Sequence, residues 1–541
     1  MRTVVASRSL GLMLALAAMQ ATAMEVKAME EKAMAVQGAA AQSTAPAPPA
    51  ESPARGASDY DRIDHEATVL RVLSDFVLAD NEGVQHSAML GLRALRDPAL
   101  RPLFERLCEH DSWTLRVDGV LGLAELDGGG TTDLARIERL PGERDREAAI
   151  NGTLSLQLAS AEQVRTMLGW NDLPSSQRAL LAGELRRLGG TPETPMLVRL
   201  AKSRTPEVAG LSLAILLDME AREAQVLEPE VRSLIAALPV ATRSAAVAQI
   251  ADTCAAYELE GAGPFVASLL SLPDLSTESR MRAIGNLLIF APTQAFAPLA
   301  DAVHANSSQG NLFRYSSILI ASGATAAPET WALFRNGDSM METIADAGVA
   351  LSAGRHAEGY AKLIGLERLA MLRASLDGAK RVGTDAELAF GRECLRLVLE
   401  PGPTPPALSE TLLAALFRLA ELEPEQFRES LALADLDTPT RDAMLLSLLN
   451  AGSRSAAEVA RTVRGSASRL GEGQIAVLAA RHSEKLEPSE LDELMLVSGG
   501  AVNVGLAVRV QAAWLWMRHS GKASIAIERL APLPETGASG G

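Results

Sequence analysis

Cysteine, lysine and aromatic residues are all scarce in this sequence of 541 residues, and each shortage removes a class of protein. Three cysteines, Cys108, Cys254 and Cys394, are odd in number and far apart, so a disulfide framework does not hold the chain together. Each adjoins apolar helical positions, as in LFERLCEH, and is expected as a buried free thiol. Aromatic residues make up 4% of the chain, which leaves no broad stacking platform for sugars or single-stranded nucleic acid. Only seven of the 51 basic residues are lysine, and acids outnumber bases to a net charge of −16. A phosphate backbone needs an electropositive face, so nucleic acid is excluded as the main partner. Beyond the first 23 residues no apolar run approaches the ~20 residues that span a bilayer.

What the chain has is hydrophobic residues, 48% of the total beside 22% charged, the balance of a globular protein. The N-terminus MRTVVASRSLGLMLALAAMQATA places Arg2 and Arg8 before an apolar run from Leu10 to Met19, then Ala21-Thr22-Ala23. That order reads as a secretory signal peptide over residues 1–23 with cleavage near Ala23. Cleavage there would remove two arginines and no acid, taking the net charge from −16 to −18. Residues 24–58, rich in Ala, Pro and Ser, are expected to be a disordered spacer.

From residue 59 to about residue 530, apolar residues recur at i, i+3, i+4 and i+7 in segments bounded by DGGGTTD, RLGGTPETP, SLPDLSTES and EPGPTPP. Several prolines fit first-turn positions and several glycines fit helix ends. No alternation of strand type interrupts this, so the fold class is all-α.

One phrase, an arginine followed by a small residue and apolar residues, heads helix after helix. Arg116 begins RVDGVLGLAEL, Arg146 REAAINGTLSL, Arg243 RSAAVAQIA, Arg282 RAIGNLLIFA, Arg314 RYSSILIASG and Arg509 RVQAAWLW. Looser versions start at Arg178 and Arg441. The steps are 30 residues from Arg116 to Arg146, 32 to Arg178, 65 to Arg243, 39 to Arg282 and 32 to Arg314. Glu207 fills the double step, and His86 and Gln474 head equivalent helices. A step near 32 residues marks a helical repeat array. A cation at a helix N-terminus faces the positive end of the dipole, so it does not serve its own helix. It is expected to donate to the orphan carbonyls at the end of the preceding helix. The small residue three positions on (Gly119, Ala149, Ala246, Gly285, Ser317) would let a neighbouring helix approach.

These phrases, DSWTLRVDGVLGLAEL first and ERDREAAINGTLSL next, resemble the HEAT-repeat family in its short bacterial form. The likeness is strongest over residues 82–160, continues to 325, weakens at 343–409 and partly recovers over 410–520. At 343–409 stretches such as YAKLIGLERLAMLRASLDGAK read as longer helices that break the period. The Trp, Gly, Tyr and Pro landmarks of tetratricopeptide repeats do not recur. The resemblance implies an α-solenoid of stacked antiparallel helix pairs, about 14 of them over residues 59–530. First helices would then line a convex side and second helices a concave one.

No H-E-x-x-H, Walker loop or S-x-x-K appears. The seven histidines (65, 86, 110, 304, 356, 482 and 519) show no metal-ligand spacing. No catalytic, cofactor or metal residue is therefore assigned. Asn151 and Asn306 head glycosylation acceptor motifs, though Asn151 falls within an expected helix. Leu533–Gly537 spells LPETG, the motif of sortase substrates, but only ASGG follows it. It is read as a chance match in a disordered tail, residues 531–541. Trp514 and Trp516 lie about 200° apart on one helix, flanking its apolar stripe. The expected function is an exported, non-catalytic scaffold in the cell envelope or periplasm whose acidic balance favours a basic or polar protein partner. The competing classes are a lyase-like enzyme on a helical-repeat scaffold and a structural envelope component.

Overall fold

The structure, a computed structural model, describes residues 59–128, 133–399, 409–423, 427, 486–500 and 505–531. The expected signal peptide, the spacer, LPETG, Arg441 and Gln474 lie outside the described residues. Every regular element among the described residues is a helix, and none is long and apolar enough to cross a membrane.

The helix ends follow local chemistry. Asn81 accepts from the backbone N–H groups of Gly83 and Val84, and Asp338 from those of Met340 and Met341. Ser160 and Gln163 form a reciprocal capping box. Pro206, Pro292 and Pro328 occupy first-turn positions, where no amide hydrogen is needed. Pro229 and Pro298 depart from that rule and sit inside helices.

The described helices fall into two compact units, one from residues 160–463 and the other from residues 1–159 with 464–541. In the 160–463 unit, Ser175–Arg187, Pro206–Asp218, Val240–Ala256, Thr277–Phe290 and Gln309–Ser322 each pack on the next in that series. Alternating with them in sequence, Ala161–Leu168, Thr194–Ala201, Arg222–Ala236, Gly263–Leu270 and Pro292–Ala305 pack against this row. Pro206–Asp218 is buried without a break from Val208 to Leu216, because four helices surround it. Burying side chains such as Leu213 or Ile215 contributes ~1.5–3 kcal/mol each. Enclosed in this way, Pro206–Asp218 has no exposed residue from Val208 to Leu216.

The row changes at residue 323. Gln309–Ser322 packs chiefly against Leu369–Val382 rather than against Ser339–Ser352, the next long helix in sequence. YAKLIGLERLAMLRASLDGAK is not one helix: His356–Ile364 ends before Glu367, whose φ of 51° is left-handed, and Leu369–Val382 follows. Apolar periodicity runs through that break because both helices face the same core.

In the other unit, Glu82–Ala94 packs on Trp113–Asp127 and Trp113–Asp127 on Glu143–Ser155, continuing the stepwise pattern. Helices from the far end of the sequence also join it. Leu506–His519 lies against Asp59–Val77 and Glu82–Ala94, and Ala523–Leu530 against Asp59–Val77 and Arg101–Leu107. Val69, Leu73, Met89 and Phe104 share one core with Val510, Trp514 and Met517. Contacts between sequence neighbours alone do not describe this unit. Trp514 and Trp516 are both buried, so neither is available to anchor a partner.

Candidate functional site

The recurring arginines divide by what they bind. Arg178 donates to four carbonyls, those of Leu168, Trp170, Asn171 and Leu173, at 2.7–3.2 Å. Leu168 is the last residue of the preceding helix, so the expected guanidinium cap is present in full. Arg116 donates to His110 and Asp111 carbonyls at 2.6 and 2.7 Å, beyond Arg101–Leu107. Arg243 reaches the Leu238 carbonyl at 2.8 Å and Arg509 the Ser498 carbonyl at 3.2 Å. Arg509 also lies 4.9 Å over the Phe76 ring, and burial holds its pKa below the usual guanidinium value.

Arg282 and Arg314 do something else. Arg282 binds Asp252, with Nε at 2.9 Å from Oδ1, and Arg314 binds Glu278. Both are well exposed, and neither guanidinium donates to a backbone carbonyl among the described residues. The same phrase thus serves two roles, and Arg116, bound to two carbonyls and to Asp145, fills both.

Side-chain pairs linking successive units recur with the repeat. Arg93–Glu125, Arg116–Asp145, Arg186–Asp218, Asp252–Arg282, Glu278–Arg314, Glu387–Arg418 and Arg392–Glu423 span 29 to 36 residues. Arg93 is the most enclosed of these arginines, 4% exposed, and also holds Asp118 at 2.7 Å. Gly119 lies against Arg101–Leu107: a Cβ there would meet the Phe104 carbonyl oxygen at 2.8 Å and the Cys108 nitrogen at 2.9 Å. Ala149 and Ala246 are fully buried. Cys254 and Cys394 are buried free thiols whose pKa burial raises, and Cys108 is half-buried. Asn151 does lie in a helix, Glu143–Ser155.

A cavity of about 390 Å³ sits where the row of helices changes partner. Leu319 and Ile320, Leu351 and Ser352, and Gly378 and Val382 bring the C-terminal ends of three helices to it. His356 and Tyr360 come from the first turns of a fourth, and Trp331 closes one side. Ser352 Oγ accepts from Trp331 Nε1 at 3.0 Å and from the Ala326 amide at 3.3 Å. His356 Nδ1 is buried without a hydrogen-bond partner among the described residues. Its ring stacks on Tyr360 at 6.3 Å between centroids, and Tyr360 meets Phe390 edge-on at 5.2 Å. Burial, with a smaller effect from Glu387, raises the Tyr360 pKa and keeps its hydroxyl protonated. No hydrogen bond to that hydroxyl is present among the described residues.

Charged groups stand behind the cavity wall on Leu369–Val382. Arg381 donates to the Ala321 carbonyl. Burial lowers the pKa of Arg381 and of Lys380, and raises that of Asp377 against the pull of Arg381, Lys380 and Arg373. None of these side chains lines the cavity. His356, Tyr360 and Ser352 stand in no motif; the one sequence feature that coincides with them is the loss of period at 343–409.

Comparison with family models, curated proteins and solved structures finds no match for this chain.

Proposed function

We propose that this chain is an exported, HEAT-like α-solenoid serving as a non-catalytic scaffold for protein–protein interaction in the cell envelope or periplasm. The observation that supports it best is the set of side-chain pairs spaced 29 to 36 residues apart, matching the sequence step. Units that lean on their neighbours through one repeated contact are the basis of a solenoid. The acidic balance favours a basic or polar partner. First helices carry the surface: Arg222–Ala236 buries Ala224, Leu227, Val231 and Ile235 and leaves Val226 72% exposed.

A photo-crosslinking residue at Val226 or Val240 of the full chain, in the native envelope, tests this reading. A discrete adduct with one protein, competed away by unlabelled chain, is the expected result. Absence of any adduct at both positions contradicts it.

The cavity favours a second reading, an enzyme on the same scaffold, since it brings His356 and Tyr360 together. For Tyr360 to act as a nucleophile a base must be bonded to its hydroxyl. Among the described residues no base is bonded to it, and burial keeps it a neutral hydroxyl. The arrangement therefore supports binding better than reaction.

A further inference from the structure

We propose that the cavity between Gln309–Ser322, Ser339–Ser352, His356–Ile364 and Leu369–Val382 binds an uncharged small organic molecule with an apolar body and one hydroxyl or carbonyl oxygen. The site goes beyond the scaffold reading and does not depend on it. Its volume of about 390 Å³ falls in the range of small-molecule pockets. Leu319, Ile320, Leu351 and Trp331 supply apolar and aromatic wall against the body of the ligand.

Three polar groups give the ligand its handle. Ser352 Oγ already accepts two hydrogen bonds, so its own hydrogen is left to donate. The Tyr360 hydroxyl is a second donor, and His356 Nδ1 is a buried nitrogen without a partner. A buried polar atom is costly unless paired, and a ligand hydroxyl or carbonyl oxygen beside His356 Nδ1 pairs it. Among the described residues no Asp, Glu, Lys or Arg lines the cavity. A charged ligand would enter without a counter-ion, because Arg381 is already engaged by the Ala321 carbonyl. Thr325, exposed, marks the mouth.

The probes are p-cresol, benzylamine and benzoate, titrated into the full chain by calorimetry and by saturation-transfer NMR. The expected result is one saturable p-cresol site, with both charged probes about ten-fold or more weaker. Ala324→Phe, which fills the cavity, and Thr325→Trp, which blocks its mouth, should each abolish binding. Tyr360→Phe should weaken p-cresol about 3- to 10-fold while leaving Tm unchanged, since no protein hydrogen bond is lost. Absence of saturable p-cresol binding overturns the proposal. So does binding that survives both Ala324→Phe and Thr325→Trp in folded protein, or equal affinity for a charged probe.

Discussion

Trp514 donates its indole Nε1–H to Asp97 Oδ2 at 2.9 Å, across 417 residues of sequence. Asp97 is fully buried, its other oxygen caps the amide of Ala99, and Arg518 Nε lies 3.6 Å away. One carboxylate thus starts a turn near one end of the chain and holds a helix from near the other. Asp97→Ala should lower the stability of this unit by about 2–3 kcal/mol, because it strands a buried donor and removes a cap. Denaturation followed by tryptophan fluorescence reads it.

Arg178 and Arg314 head the same sequence phrase but should respond differently to alanine. Arg178→Ala leaves four carbonyls without their donor and should cost about 2–3 kcal/mol. Arg314→Ala breaks one exposed ion pair and should cost under about 0.5 kcal/mol. Equal losses in urea denaturation would show that the division of roles is wrong.

Gly119→Ala should destabilise by about 1–3 kcal/mol, because its Cβ meets backbone atoms of Phe104 and Cys108 that cannot retreat. Gly310→Ala meets nothing within 4 Å and should stabilise by about 0.5 kcal/mol through helix propensity. Thermal melting of the two variants checks the contrast.

The repeated phrase makes the helices, their step and the close approach at Gly119 legible in the sequence alone. It did not distinguish Arg178 from Arg314, since the difference lies in a partner from another unit. Nor did it reveal the burial of Trp514 and Trp516. Their helix alone suggests two flanks of a stripe, whereas Asp59–Val77 and Glu82–Ala94, hundreds of residues away, also pack against it. The cavity was visible only as a failure of the period, because its walls come from four helices whose pairing skips a neighbour. His356 and Ser352 carry no motif, so although they lie four residues apart the sequence does not mark them as walls of one cavity.

Asp377 should give the unit containing it a measurable pH dependence. Burial raises its folded pKa above the unfolded value, so the folded state holds its proton more tightly. That contribution is complete below the unfolded pKa and is lost as pH rises through the raised value. Asp377→Asn should therefore have a higher Tm than the wild type at pH 8, with the difference shrinking on acidification. A difference that grows as pH falls would contradict the assignment.

Hydrogen exchange on the full chain and on a chain lacking residues 505–541 tests the shared core of the two ends most directly. The account predicts that amides of Asp59–Val77, Glu82–Ala94 and Arg101–Leu107 lose protection, while those of Pro206–Asp218 and Val240–Ala256 keep theirs. Unchanged protection in the first three helices after the deletion would contradict it.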